Sequence, residues 1–567
     1  MNDFEKNVGE MLFNRSKQFG KSILIHEKKN NEYIKTSLND IYNKVIQIGS
    51  GLISAGITKK DKIAVVGNDC NDILALELAC MSIGCTYVPI YSGYYPKQME
   101  YVLSHSDPKY LILSDESLLE KVLSTAATGR IEKYFLINYN EKFLESTRIF
   151  NFSLLIKEDN ENIFFEAIKN VDPQDVCLLL YTSGGTTGIA KGVQITHEAL
   201  LSQQKAFNEL WQINSKDIIL SYFPWHRSLG IIEKFLSIYS GATLAIDRSP
   251  GLELSSLIES LESFKPTICF GDASIYYDLI QNIEKSEQLE KAFFHQNLKF
   301  VFSASSPSNG VIKFFEKKNV AILQGWGMTE TLQYVTVNTV DGNWQANTSG
   351  FPIPGVELKI EGDSNEIYLR GKTIIKEYYK DEEKNDLSFT EDGWFKTGDA
   401  GILTEKGLII LGRIDSVFYL NNESKVYASK IEDIIENSSI YVSNCVLFGQ
   451  DKTFMGLLIF PNHTKLLEWY KENNGYVIPI SDMLDEKEII DLFKEKLKKV
   501  NEYNFDDSQK IKYFSLIENP PSIKAGELTS AHTIVRKQVL ENYKYLTKVF
   551  YLEDGFFPEL KSRIIEV

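Results

Sequence analysis

Short apolar runs that alternate with amphipathic stretches are what most limits the folds open to this chain. Lys62-Ile-Ala-Val-Val-Gly67 reads as a buried strand, 72–84 as a helix, Cys85 to Ile90 as a strand, 96–106 as a helix and Tyr110 to Leu113 as a strand. The alternation returns with strands at 218–223, 242–246, 267–270, 300–303 and 321–324, separated by helical patterns. Such a βαβ rhythm predicts an α/β fold with parallel sheets covered by helices on both faces. It also predicts ligand sites beyond the carboxyl ends of the strands. After about residue 410 the texture changes to a polar loop, Leu420-Asn-Asn-Glu-Ser-Lys425, then shorter elements and a Lys/Glu-rich helical stretch near 486–500. The expected division is a large N-terminal domain, 1–412, and a smaller α+β C-terminal domain, 413–567. A chain of 567 residues has room for both cores.

Composition removes several function classes. The formal net charge of −16 argues against broad nucleic-acid binding, which needs a basic footprint. Cys70, Cys80, Cys85, Cys177, Cys269 and Cys445 are scattered without a CxxC pair, so they read as buried thiols in a reducing compartment. The start, Met1-Asn-Asp-Phe-Glu-Lys6, has no basic stretch leading into an apolar core, so no secretory signal is expected. The most apolar stretch, Ile73 to Tyr91, contains Glu77 and breaks at Gly84, which does not suit a membrane span. A cytoplasmic protein is expected, with peripheral contact at a membrane surface left open.

The strongest local signal is Tyr181-Thr-Ser-Gly-Gly-Thr-Thr-Gly-Ile-Ala-Lys-Gly-Val193, which follows the apolar strand Val176 to Leu180. Gly184, Gly185 and Gly188 let the backbone turn tightly and present N–H groups. Thr182, Ser183, Thr186 and Thr187 add hydroxyls, and Lys191 adds positive charge. This chemistry suits a polyphosphate. It is not the GxxxxGK[ST] loop, because Ala190 and Gly192 stand where that pattern needs Gly and Ser or Thr. Thr196 is a candidate helix N-cap. Further on, Gln324-Gly-Trp-Gly-Met-Thr-Glu330 places a flat aromatic between Gly325 and Gly327. Such a ring can face a base, and the nearby Glu330 carboxylate suits a hard cation beside phosphates. Asp392-Gly-Trp-Phe-Lys-Thr-Gly-Asp-Ala-Gly401 and Gly412-Arg-Ile-Asp415 complete the set.

These three segments resemble the signatures of the adenylate-forming (AMP-binding) superfamily, and the run from Pro89 to Tyr101 leans toward its long-chain fatty acyl-CoA synthetases. The resemblance implies ATP, magnesium and coenzyme A as co-reactants and a carboxylic acid as substrate, with an acyl carrier protein as another acceptor. It assigns Thr182, Lys191, Thr329, Glu330 and Arg413 to catalysis and Glu330 to magnesium. The nucleotide falls to Ser183 through Gly188, Gln324, Gly325, Trp326, Gly327, Asp399 and Arg413. Trp326 would stack on adenine, Asp399 would bind the ribose hydroxyls, and Asp415 would hinge a mobile small domain. Trp225 and His226, in Phe223-Pro-Trp-His-Arg227, fall where the family lines its acyl site.

The chain departs from the family pattern in four places. The glycine-rich loop carries an extra glycine, and Ala190 replaces a proline. The family's Leu-Thr-Pro-Thr-Leu-Lys becomes Leu528-Thr-Ser-Ala-His-Thr533, so Thr533 stands where a catalytic lysine is usual, with Lys524, Arg536 and Lys537 as nearby cations. The family's Leu-Ser-Asn-Gly-Glu-Lys-Val becomes Leu420-Asn-Asn-Glu-Ser-Lys-Val426, with Glu423 for glycine. Three expectations follow. The protein is a synthetase with a relocated cation; or it adenylates an acid and takes a different second step, such as carrier loading, amide or N–N bond formation, or β-lactone closure; or it is a non-catalytic or half-active member that binds a nucleotide or acyl-adenylate.

Overall fold

The computed structural model describes the chain apart from residues 1–4, 31, 130, 144–145, 158–160, 183–189, 248–253, 341–347, 503–508, 530–532 and 553–562. The predicted alternation is realised as two large sheets. The first orders its strands as Tyr378–Tyr379, Gly192–Thr196, Val176–Tyr181, Thr86–Ile90, Lys62–Val66, Tyr110–Leu113, Lys133–Leu136 and Ile149–Asn151. Its pairings are parallel from Val176–Tyr181 outward to Ile149–Asn151, and antiparallel at the two strands on the other edge. The second runs from Phe351–Pro352 through Thr336–Val337, Ala321–Trp326, Phe300–Ser303, Ile268–Gly271, Ile218–Ser221, Thr243–Asp247 and Ile23–Lys29 to Glu32–Ser37. Strand ends differ from the sequence reading by one or two residues. Tyr222 and Phe223 fall in the loop after Ile218–Ser221 rather than in the strand.

The helix Asn71–Ser82 is buried from Ile73 to Ser82, because it lies in the interior with no solvent face to offer. Ser228–Ser240 is also almost wholly buried. The two helices share an ion pair between Glu77 and Lys234, each 1% exposed. Burial is the leading influence on the Glu77 carboxyl and pushes it above the usual carboxylate range, with Lys234 opposing.

The alternation did not reveal a four-stranded antiparallel sheet, Val356–Glu361, Glu366–Gly371, Phe395–Thr404 and Gly407–Arg413. Beyond it lie a two-stranded ribbon and a sheet of Val442–Phe448, Met455–Pro461, Ile511–Leu516 and Ile565–Glu566, packed with the helix Lys487–Asn501. No helix among the described residues is long and apolar enough to cross a membrane. All six cysteines are free thiols.

Thr196 caps the helix His197–Trp211, accepting from the Ala199 amide. The next residue, His197, is fully buried, and its Nδ1 accepts from the Val8 amide at 3.2 Å. Burial lowers its pKa to about 4. A depressed histidine leaves stability intact above the unfolded value near 6.5 and loses it as pH falls toward the folded value. Between about pH 7.5 and about pH 5 this one group should cost roughly 2 kcal/mol. Denaturant unfolding at both pH values checks it: a His197→Asn variant, which keeps an acceptor for Val8, should lose less stability on acidification than the native chain.

Candidate active site

The glycine-rich loop is pinched at its neck. The Thr182 amide donates to the Lys191 carbonyl at 3.1 Å, and the Lys191 amide donates to Thr182 Oγ1 at 3.2 Å. Tyr101 donates its hydroxyl to the Ala190 carbonyl at 2.9 Å. Ser183, Gly184, Gly185, Thr186, Thr187 and Gly188 lie outside the described residues. The Lys191 ammonium lies 5.4 Å from the centre of the Tyr378 ring. Burial first, and then the neighbouring Lys384 ammonium, hold it below the ordinary lysine range.

Tyr378 connects this loop to the second motif. Its strand pairs with Gly192 and Val193, and its hydroxyl donates to Glu330 Oε1 at 2.8 Å. Burial and the adjoining Glu330 raise the phenol well above its usual range. The other Glu330 oxygen has no partner among the described residues. One buried carboxylate with a spare oxygen fits magnesium, which takes one or two carboxylates and completes its shell with phosphate oxygens and water. No cluster of three metal-ligating side chains exists among the described residues.

The motif Gln324–Glu330 leaves the end of the strand Ala321–Trp326, which pairs with Thr336–Val337. Gly327 is required here, because a Cβ would lie 1.5 Å from the Gln333 carbonyl oxygen. Gly325 is similarly crowded by the Thr336 carbonyl at 2.7 Å. The Gln324 backbone amide donates to Asn338 Oδ1, while the buried Nε2 of Gln324 has no hydrogen-bond partner among the described residues. After Glu330 the chain turns through Leu332 (φ 51°) and Gln333 (φ 80°), both left-handed. Gln203, fully buried on His197–Trp211, holds this strained turn. Its Nε2 donates to the carbonyls of Thr331, Leu332 and Tyr334 at 3.1, 3.0 and 3.0 Å. No sequence signal marks Gln203, because its partners are backbone carbonyls more than a hundred residues away.

Trp326, mostly buried, donates Nε1–H to Asp399 Oδ2 at 2.9 Å, and Arg413 Nη1 donates to Asp399 Oδ1 at 2.8 Å. The Asp399 side chain is 12% exposed. Burial pushes its pKa up, with Arg413 opposing. Arg413 is 46% exposed, also donates to the Thr397 carbonyl at 3.2 Å, and lies 3.7 Å from Asp415.

A cavity of about 320 Å³ opens beside these motifs, lined among others by Thr182, His226, Arg227, Asp272, Thr329 and Gln333. His226 stacks on Tyr91 with ring centres 5.0 Å apart. Burial, then Arg227 and Lys234, lower its pKa to about 4, so it is a neutral imidazole near pH 7. Trp225 does not line this cavity. It is buried, its amide donates to Asp69 Oδ2 at 2.9 Å, and its ring lies 5.4 Å from Lys234 Nζ.

In the C-terminal part, Thr533 is exposed and directly precedes Ile534, which bridges Leu528. Arg536 is committed elsewhere, paired with Glu432 and donating to the Leu447 carbonyl at 2.5 Å. Glu423 adopts φ 66°, the left-handed conformation in which glycine is usual, so the side chain replaces glycine at a position that favours it.

Residues 13–379 match the model of the AMP-binding enzyme family, and residues 415–554 match that of the AMP-binding enzyme C-terminal domain. The chain is 24% identical to long chain acyl-CoA synthetase 3 of Arabidopsis thaliana, over 92% of this chain and 87% of that protein. It is 30% identical to malonate–CoA ligase of the same plant, over 70% of this chain and 67% of that protein. Its fold superposes on the anthranilate CoA ligase AuaEII, in complex with anthranoyl-AMP, with a TM-score of 0.74 at 17% identity, covering 96% of this chain and 98% of the other. The chain therefore belongs to the AMP-binding, adenylate-forming acid–CoA ligase family.

Proposed function

We propose that the protein uses ATP to activate a carboxylic acid, a fatty acid by preference, as an acyl-adenylate, and then transfers the acyl group to the thiol of coenzyme A. The observation that carries this reading is the continuity of the site: Lys191 faces Tyr378, Tyr378 holds Glu330, and Trp326 in the same motif joins Asp399 and Arg413. Cations for phosphate, an acidic group for magnesium and an aromatic–carboxylate pair for a nucleoside thus occupy one region. Glu330 would hold the magnesium, which would neutralise phosphate charge. Thr182, Thr329 and Lys191 would orient the polyphosphate, and Asp399 with Arg413 the ribose. The acid would enter the cavity beside His226, whose neutral ring and Tyr91 neighbour suit an uncharged acyl segment. The fatty-acid preference draws on the synthetase relative, whose match spans more of the chain than the malonate ligase match. The chain divides into 1–412 and 413–567, with Asp415 at the hinge.

Thr533 and Glu423 favour a second reading, in which adenylation persists but the acceptor is a carrier protein or another nucleophile. The deciding experiment incubates the protein with magnesium-ATP, coenzyme A and carboxylic acids of graded length. Acyl-CoA with stoichiometric AMP supports the first reading. AMP with acyl-adenylate and no thioester supports the second, and formation of ADP excludes both.

A further inference from the structure

We propose that Tyr101 and His105 are positioning residues for the polyphosphate site: from one helix they hold Ala190 and Tyr181, and through these neighbours they set Lys191 and Thr182 for the phosphates of ATP. The inference deepens the adenylation reading above and rests on it. Tyr101 and His105 lie four residues apart on the helix Pro96–Ser106, which puts both side chains on one face. The Tyr101 hydroxyl donates to the Ala190 carbonyl at 2.9 Å. His105 Nδ1 and the Tyr181 hydroxyl share a hydrogen bond of 2.9 Å. One helix thus grips both sides of the neck that the Thr182–Lys191 bonds close.

The imidazole that does this is boxed by aromatic rings. Tyr101 stacks on His105 with ring centres 5.4 Å apart and planes 14° from parallel. Tyr181 and Tyr379 meet it edge-on, at 5.8 and 5.4 Å. The His105 carbonyl also accepts from Lys380 Nζ at 3.1 Å. Tyr379 pairs with Gly192, the residue after Lys191, and Tyr378 beside it donates to Glu330. The helix, the neck of the loop and the strand that reaches Glu330 therefore meet around one side chain.

Ala190 gives this brace its importance. It stands where the family pattern has proline, so the restraint of a pyrrolidine ring is absent at that position, and a hydrogen bond from Tyr101 acts on it instead. Groups held in place before a ligand arrives lose less freedom on binding and meet the reacting atoms in better geometry. Tyr101 is 37% exposed, so its bond adds little to the stability of the fold.

The test compares the native chain with Tyr101→Phe, His105→Leu and His105→Asn, each checked by denaturant unfolding. Phe keeps the ring on His105 and removes only the hydroxyl. Asn keeps a hydrogen-bonding group close to the place of Nδ1, and Leu does not. Calorimetry reads the affinity for magnesium-ATP, and acid-dependent pyrophosphate release reads kcat with separate KM values for ATP and acid. The proposal expects affinity to weaken roughly three- to tenfold in Tyr101→Phe and His105→Leu, as the loss of one hydrogen bond does. It expects kcat to fall by about tenfold, less than the roughly 10²-fold that a full ångström of misplacement costs. KM for the acid should stay level in Tyr101→Phe, and His105→Asn should regain most of what His105→Leu loses. Folded Phe and Leu variants with native affinity and native kcat overturn the proposal, and so does a loss of stability that leaves both unchanged. If the native protein binds magnesium-ATP yet turns over no acid, the adenylation reading fails on turnover and the affinity series alone decides. A loss in Phe and Leu that Asn recovers then supports the two positioning residues, and a flat series overturns them. Native protein that binds no nucleotide overturns both.

Discussion

Asp399→Ala is expected to lose magnesium-ATP affinity and to slow adenylation by about 10²–10³-fold, the usual cost of one preorganised charge-stabilising group. Asp399 is the acceptor for both Trp326 and Arg413, which lie 73 and 14 residues away in the chain. Its removal frees Arg413, which is partly exposed and can turn to water, but it strands the buried Trp326 N–H. An unsatisfied buried donor costs about 1–3 kcal/mol, so the variant should also be less stable by that amount. Asp399→Asn separates the two effects. It keeps an oxygen for the indole and gives up the charge facing Arg413, so stability should hold while nucleotide binding falls. Titration with magnesium-ATP beside denaturant unfolding checks both. Unchanged nucleotide affinity in the Ala variant would remove the Trp326–Asp399–Arg413 array from the nucleotide site.

Lys234→Met should cost roughly 3–5 kcal/mol, because it leaves Glu77 buried and unpaired. The pH dependence of that cost carries a definite sign. Burial raises the Glu77 pKa in the folded state, and a raised carboxyl favours the fold below its unfolded value and loses that benefit as pH rises. Without Lys234 to oppose burial, the upward shift grows. The variant's deficit should therefore be largest above neutrality and shrink as the solution is acidified and Glu77 becomes neutral. The double variant Lys234→Met, Glu77→Leu should recover most of the loss, since replacing a buried pair by apolar side chains is often neutral or better. Urea unfolding of the single and double variants at two pH values reads all of this. An equal deficit at both pH values would mean that an unpaired Glu77 charge is not its source.

Much of this organisation was legible in the chain. Buried parallel strands such as Lys62–Val66 and Phe300–Ser303 are short continuous apolar runs, and the helices between them carry the complementary period, so their order could be read. The motifs proposed to bind phosphate and nucleotide stood out because glycines and hydroxyls cluster within a few residues. The antiparallel sheet from Val356 to Arg413 was not, since its strand Val356–Glu361 is largely half-exposed and shows no buried run. Contacts made by distant side chains were equally silent. Nothing near Trp326 announces Asp399, and nothing near Gln203 announces the left-handed turn at Leu332 and Gln333. The meaning of Glu423 changed with its backbone. In the sequence it is an intruding charge, and in the fold it is also a side chain carried in a glycine conformation.

On the proposed function, the protein adenylates an acid although Thr533 cannot supply the usual ammonium. The most direct measurement is the acid-dependent exchange of labelled pyrophosphate into ATP, run across a series of carboxylic acids on the native chain and on Thr533→Lys. The expected result is exchange by the native chain with at least one apolar acid, and a gain of less than about tenfold from Thr533→Lys, well short of the roughly 10²–10³ that a missing stabilising group is worth. A native chain silent with every acid, beside a Thr533→Lys variant that exchanges, would contradict it.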